Sequence, residues 1–278
     1  MNDRELLQTA ITAAILGGAE ILEVYSHDFE VEFKEDKSPL TLADRLAHEA
    51  ICSVLQTTGI PILSEEGKKI PFKVRKNWKK FWLVDPLDGT KEFVKRNGEF
   101  TVNIALVVDG EAIMGIILVP VSGLLYFASR QAGAFKIVLD GNKDIYVDLD
   151  KIFSNAEPLP LPVTPRTLTV VGSRSHLSAE TNNYIQNLRK NDPDLDFISI
   201  GSSLKMCIIA EGKAHLYPRF GPTMEWDTAA GQAILEVAGG EVIIANSNKP
   251  VHYNKADLLN PWFVAGRPRK NKTPASAE

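Results

Sequence analysis

Apolar residues in the first 25 positions fall on one helical face, with Leu6, Leu7, Ala10, Ile11, Ala14 and Ile15 aligned and acids mixed into the remainder. That spacing predicts an amphipathic core helix. A second helical period follows Thr41 through Leu46, Ala47, Ala50, Ile51, Val54 and Leu55. From residue 101 to 147 the pattern changes to strands that turn at Asp109-Gly110 and Ser122-Gly123, which predicts a hairpin-rich antiparallel sheet. Beyond Thr167 strand and helix alternate. Strands are expected at 168–171, 195–200, 214–217 and 241–245, and helices at 178–189, from Leu204, and from Asp227. The proline-rich stretch 158–165 is the expected seam, dividing the chain into halves 1–157 and 158–266, with a polar, flexible tail at 267–278. No internal repeat is present.

Several apolar runs end in acids. Phe81, Trp82, Leu83 and Val84 read as a buried strand, and Pro86 has no N–H for a sheet, so the chain is expected to turn just after Asp85. Asp85 and Asp88 then stand close enough to repel unless a cation lies between them, and oxygen-only ligands suit a hard ion such as magnesium. Gly89 lets backbone approach a ligand, and Thr90 offers a hydroxyl. The same residues also make a good helix start, with Asp85 as cap and Pro86 in the first helical position. From this segment alone both readings stand. Glu65, after the apolar 60–63, is either at a strand end or in a solvated loop. Thr41 and Asp44 fit a capping box, and Asp227 fits an N-cap of the last long helix.

Taken together these segments resemble one family. Lys37-Ser38-Pro39-Leu40-Thr41-Leu42-Ala43-Asp44, Leu63-Ser64-Glu65-Glu66, the run from Trp82 to Val107 with Asp85-Pro86-Leu87-Asp88-Gly89-Thr90 at its centre, and Trp226-Asp227-Thr228-Ala229-Ala230-Gly231 are similar to the inositol monophosphatase superfamily. Lys91-Glu92-Phe93, Gly201-Ser202-Ser203-Leu204-Lys205 and Leu216-Tyr217-Pro218-Arg219-Phe220 resemble its branch of 3'(2'),5'-bisphosphate nucleotidases of the bacterial sulfate-assimilation type. The resemblance implies an α/β (α+β) fold, the layered α/β/α/β/α sandwich of the inositol monophosphatase and fructose-1,6-bisphosphatase type, with the site between the halves. It implies that Glu65, Asp85, the carbonyl of Leu87, Asp88 and Asp227 hold about two to three Mg²⁺ ions. Asp85 would bridge two of them. Asp44 and Thr90, with Glu65, would position and deprotonate the attacking water, and Leu87, Asp88, Gly89, Thr90 and Asp227 would surround the scissile phosphate.

The second half is expected to carry most substrate contacts. His176 follows a strand and, by resemblance, lies near the nucleotide; otherwise it is an incidental residue of a surface turn. Ser202 and Lys205 open a short helix where an anion binds well, against the plainer reading of a capped helix with a solvated lysine. Arg219 is either a loop arginine or a clamp for a second phosphate. Basic residues beyond the metal site favour a bisphosphate, and the resemblance points to adenosine 3',5'-bisphosphate losing its 3'-phosphate to give AMP. Its phosphosulfate analogue is a further candidate substrate. The rivals are a phosphatase of inositol or sugar phosphates and, in another class, a noncatalytic nucleotide sensor. Inhibition by lithium is implied as well.

Composition narrows this further. A formal net charge of −4 over 278 residues does not favour nonspecific nucleic-acid binding. Cys52 and Cys207 support neither a disulfide framework nor a cysteine metal site, which suits a reducing cytoplasm. The N-terminus lacks the basic lead and cleavage site of a signal peptide, and no apolar stretch reads as long and uncharged enough to span a bilayer. The expectation is a cytoplasmic monomer or homodimer, with peripheral attachment at the inner membrane left open.

Overall fold

In the computed structural model the described residues are 1–28, 31–33, 39–140, 148–162, 165–173 and 177–267. The chain begins with α1 (Asp3–Tyr25), and a short hairpin, β1 (Val31–Phe33) and β2 (Pro39–Thr41), leads into α2 (Leu42–Leu55). A seven-stranded sheet follows in simple order: β3 (Ile62–Ser64), β4 (Lys80–Asp88), β5 (Thr101–Val108), β6 (Glu111–Val119), β7 (Leu124–Ser129), β8 (Gly133–Val138) and β9 (Glu157–Pro158). Only β3 and β4 run parallel; the rest is an antiparallel meander, turning where the sequence expects. Between its strands lie short helices α3 (Phe72–Arg75), α4 (Thr90–Val94) and α5 (Leu149–Asn155).

The second half contributes β10 (Thr169–Ser173), α6 (Ala179–Asn191), β11 (Asp196–Ile200), α7 (Leu204–Ala210), β12 (Leu216–Arg219), α8 (Glu225–Val237), β13 (Glu241–Ile244) and β14 (Phe263–Gly266). Its five strands are ordered β11-β10-β12-β14-β13. The antiparallel β14 completes this sheet by pairing with both β12 and β13, an element the sequence pattern does not announce.

Side-chain alternation assembles the layers. On β5, Val102, Ile104 and Leu106 join the apolar cluster beneath α1 and α2, while Ala105 and Val107 join a second cluster with α7, α8 and the smaller sheet. A third, small cluster packs Ile185 of α6 against Leu168, Val170 and Leu195. The result is α1/α2, long sheet, α7/α8, short sheet, α6: the five-layer α/β/α/β/α sandwich. Helix α8 of the second half thus lies on the sheet of the first. At Gly115 of β6 the approach of α8 is so close that any Cβ would drive into the carbonyl oxygen of Ala230.

Two expectations about termini are corrected. β4 does not end at Asp85; it continues through Pro86 to Asp88. A β-bulge makes this possible, since Asp85 pairs with Asn103 and Asp88 with Thr101, so three steps on β4 match two on β5. The extra residue absorbs the proline and removes the helix-cap reading of Asp85. Asp227, in turn, is the third residue of α8, with Met224 at the cap position. By length and mean hydropathy α1 has the dimensions of a membrane span, contrary to the sequence reading. In the fold its Leu7, Ala10, Ile11, Ala14, Gly17 and Ile21 are buried against α2 and the long sheet.

Candidate active site

The bulge does more than accommodate Pro86. Residues three apart on a regular strand face opposite sides, but the extra residue restores Asp88 to the face that carries Asp85 and sends Leu87 into the α1/α2 core. Both carboxylates therefore open into a cleft of about 500 Å³ between the two sheets. Gly89, at φ +93°, turns the chain into α4; a Cβ there would crowd the carbonyl of Glu99. Glu65 stands immediately after β3 with its N–H donating to the carbonyl of Val84, so the strand-end reading holds. Asp227 enters the same cleft from α8.

These four acids act strongly on one another. Burial, reinforced by Glu65, Asp88 and Asp227, pushes the Asp85 carboxyl well above the ordinary carboxylate range, and Asp85 and Glu65 share a hydrogen bond. Asp227 is pushed up to about 8, chiefly by burial and by Asp88, against the opposing hydrogen bond from the Met224 N–H. Among the described residues no three acidic, histidine or cysteine side chains are drawn into a closed ligand cluster; the acids face one another across the cleft. An all-oxygen set whose members hold one another's protons is chemically suited to a hard divalent cation, which would relieve the repulsion. The residues present fit Mg²⁺.

Asp44 shows that cap and chemistry need not compete. Its Oδ2 accepts the Thr41 N–H and hydroxyl, both at 2.7 Å, completing the capping box of α2. Its Oδ1 accepts the Thr90 hydroxyl at 3.4 Å, which is also 3.4 Å from the Leu87 carbonyl. Asp44 is buried behind Thr90, whose side chain faces the cleft.

Basic residues line the same cleft. Lys205 is buried, lies 5.5 Å from the centre of the Tyr217 ring, and donates to the Ser202 carbonyl. Burial lowers its ammonium pKa to about 8, while the nearby Asp88 charge works to hold it protonated. Arg219 closes β12, donates to the Pro222 carbonyl at 2.8 Å, and makes its charge felt at both Lys205 and Asp227. Ser202 lines the cleft with a left-handed φ of +51° and donates to Asp88 Oδ2 at 2.9 Å. His176 lies outside the described residues; Ser173 and Leu177 on either side of that stretch line the cleft. Glu92 and Tyr217 also line it, although no role was read for either from sequence. Glu99 is a further addition, accepting the Gly201 N–H at 3.0 Å.

Comparison with known proteins agrees with this geometry. The model of the inositol monophosphatase family matches residues 2–276. A 3'(2'),5'-bisphosphate nucleotidase CysQ of Salmonella typhimurium is 43% identical over 262 residues, covering 93% of this chain and 98% of the relative. The protein of that name from Escherichia coli K12 is 45% identical over 251 residues, covering 88% and 93%. Among solved structures, CysQ from Bacteroides thetaiotaomicron superposes with a TM-score of 0.89 at 50% identity, covering 96% of this chain and 99% of that one. With a matching family model over nearly its full length, close relatives of equal size and the five-layer sandwich, this chain belongs to the inositol monophosphatase family.

Proposed function

We propose that the chain is a Mg²⁺-dependent 3'(2'),5'-bisphosphate nucleotidase that removes the 3'-phosphate of adenosine 3',5'-bisphosphate, giving AMP and phosphate, in the cytoplasm and alongside sulfur assimilation. The observation that carries this is the pairing of two unlike surfaces in one cleft. Glu65, Asp85, Asp88 and Asp227 form an acidic wall, and Lys205 and Arg219 form a cationic one in the same cleft, close enough to Asp88 and Asp227 to act on them. A single phosphate on the metal side leaves the cationic wall without a purpose, whereas a bisphosphate uses both.

In this reading Glu65, Asp85, Asp88, Asp227 and the Leu87 carbonyl hold two or three Mg²⁺ ions. Bound there, the cation neutralises charge at the attacking and leaving oxygens. Thr90 donates its hydroxyl hydrogen to Asp44, which turns the lone pairs of Thr90 toward a water in the cleft. As the water's proton passes to Thr90 and on to Asp44, its oxygen forms the new bond to phosphorus, the bond to the ribose 3'-oxygen breaks, and that oxygen takes a proton from water in the cleft to become the 3'-hydroxyl of AMP. Gly89 and Thr90 place backbone near the transferred phosphate. Lys205 and Arg219 grip the 5'-phosphate and fix the ester in line, Ser202 adds a hydroxyl, and a nucleotide contact for His176 rests on the family resemblance alone. The phosphosulfate analogue offers the same contacts and is expected to be a substrate.

The test is phosphate release from adenosine 3',5'-bisphosphate and from inositol 1-phosphate, with Mg²⁺ and with chelator. Mg²⁺-dependent preference for the nucleotide supports the proposal. Preference for inositol phosphate transfers the site to a monophosphatase, and turnover of neither leaves a nucleotide sensor.

A further inference from the structure

From Ser202 and Ser203 at the lining of the cleft, a file of hydroxyl groups runs from Asp88 back into the long sheet. Ser202 Oγ donates to Asp88 Oδ2 at 2.9 Å and lies 2.5 Å from Thr101 Oγ1. Thr101 Oγ1 lies 2.8 Å from Ser203 Oγ, which lies 2.7 Å from Asn103 Oδ1. Thr101 and Asn103 are 0% and 1% exposed and face the second half because β5 alternates its sides. The file therefore joins a sheet strand of one half to the loop before α7 in the other.

Its protons do not balance as the atoms stand. The links are Asp88 to Ser202, Ser202 to Thr101, Thr101 to Ser203 and Ser203 to Asn103. Each hydroxyl brings one hydrogen, so the three hydroxyls leave one link without a proton. Meanwhile Asn103 Nδ2, with its hydrogens, is buried and has no hydrogen-bond partner, a costly state for a donor. Rotating that amide by a half turn exchanges its oxygen and nitrogen and moves nothing else. The NH₂ group then donates to Ser203, Ser203 to Thr101, Thr101 to Ser202, and Ser202 to Asp88. Every link has its proton, and all run one way, ending on a carboxylate, where a donated hydrogen bond is strongest. The atom left over is an amide oxygen in place of an NH₂ with unused hydrogens. The arrangement also accounts for the left-handed backbone of Ser202, a strained conformation for a residue with a Cβ, which lets its hydroxyl reach both Asp88 and Thr101.

We infer that Asn103 and Thr101 are positioning residues of the metal site, the head and the middle of a one-way donor relay that holds Asp88 in its ligating orientation. The inference rests on the proposed role of Asp88 in holding Mg²⁺. A carboxylate oxygen occupied by Ser202 leaves the other free to face the cation, and an oriented ligand loses less freedom on binding. Because Ser202 belongs to the segment that also carries Lys205, the relay further ties the placement of the cationic wall to that of the metal ligands.

The experiment is titration calorimetry of MgCl₂ into the full chain stripped of metal, with kinetics on adenosine 3',5'-bisphosphate in parallel. Thr101→Val removes the middle hydroxyl at nearly constant shape and should weaken Mg²⁺ binding by about 10- to 100-fold, the usual effect of losing a partner behind a metal ligand. At saturating Mg²⁺ its kcat should return close to the wild-type value. Thr101→Ser keeps the hydroxyl and should bind as the wild type does. Should Thr101→Val lack the wild-type circular dichroism, Ser203→Ala cuts the same relay one link further back and is expected to show the same loss. Unchanged Mg²⁺ affinity in the folded variant overturns the inference. Asp88→Asn separates this from the premise: if it binds Mg²⁺ as the wild type does, the metal role of Asp88 falls and the relay's purpose with it.

Discussion

Arg219 and Lys205 are the residues on which the choice of substrate turns. A guanidinium gripping a second phosphate contributes about 1.5–3 kcal/mol, so Arg219→Ala should raise KM for adenosine 3',5'-bisphosphate by roughly 10- to 100-fold. Turnover of a simple monophosphate should be nearly unaffected, and steady-state kinetics on the two substrates decides it. Thr90 is the residue on which rate turns. Thr90→Val removes the hydroxyl that relays a proton to Asp44 and should lower kcat by about 10²- to 10⁴-fold with little change in KM. The contrast between Asp44 and Ser202 shows what a reader of sequence can and cannot see at this scale. Asp44 was legible as a capping residue because its partner Thr41 is three positions away, and its second partner Thr90 was reached only through family resemblance. The bond from Ser202 to Asp88 spans 114 positions and depends on how two sheets stack, which no local pattern records.

Among the elements, strands with strong alternation and helices with a steady period were readable, and those held in place by distant partners were not. The meander β5 to β8 follows from apolar runs punctuated at Asp109-Gly110 and Ser122-Gly123. β14 has only four residues and gains strand form from pairing with β12 and β13, so its cause lies outside its own sequence. Likewise the end of β4 was misplaced because proline usually stops a strand, and only the register against β5 reveals the bulge that admits it. Packing between elements is most demanding where α8 crosses β6. Gly115→Ala places a methyl against the Ala230 carbonyl, a backbone atom that cannot rotate aside. Loss of about 1–3 kcal/mol or more is expected, measured by urea unfolding, and since α8 carries Asp227, Mg²⁺ affinity should fall with it.

For the whole molecule, the acidic wall makes stability depend on pH and metal together. Asp227 rises from an ordinary 3.8 to about 8 on folding, and Asp85 is raised as well, so the metal-free folded chain binds more protons than the unfolded chain across that window. Its stability should therefore be fully present below about pH 4 in this respect and decline as pH rises toward 8, the sign opposite to that of a carboxylate stabilised by a cation. Mg²⁺ displaces those protons and should reverse the trend. At about 100 times its dissociation constant it adds roughly 2.7 kcal/mol, a rise in Tm of several degrees. Thermal melts at pH 6 and pH 8, with Mg²⁺ and with chelator, check this: the shift should be larger at pH 8.

The extra residue in β4 has a consequence for how this protein can vary. Were residues 85–88 to pair as a regular strand with no bulge, every acid of the wall would still be in the chain, yet Asp88, three steps from Asp85, would point into the oily layer beneath α1 and Asp85 would face the cleft without it. The site thus depends on the pairing register of β4 against β5 as well as on which acids the chain carries. Loss of Leu87 itself would leave Asp85 and Asp88 two steps apart on one face but take a side chain from the core beneath α1 and a carbonyl from beside Thr90.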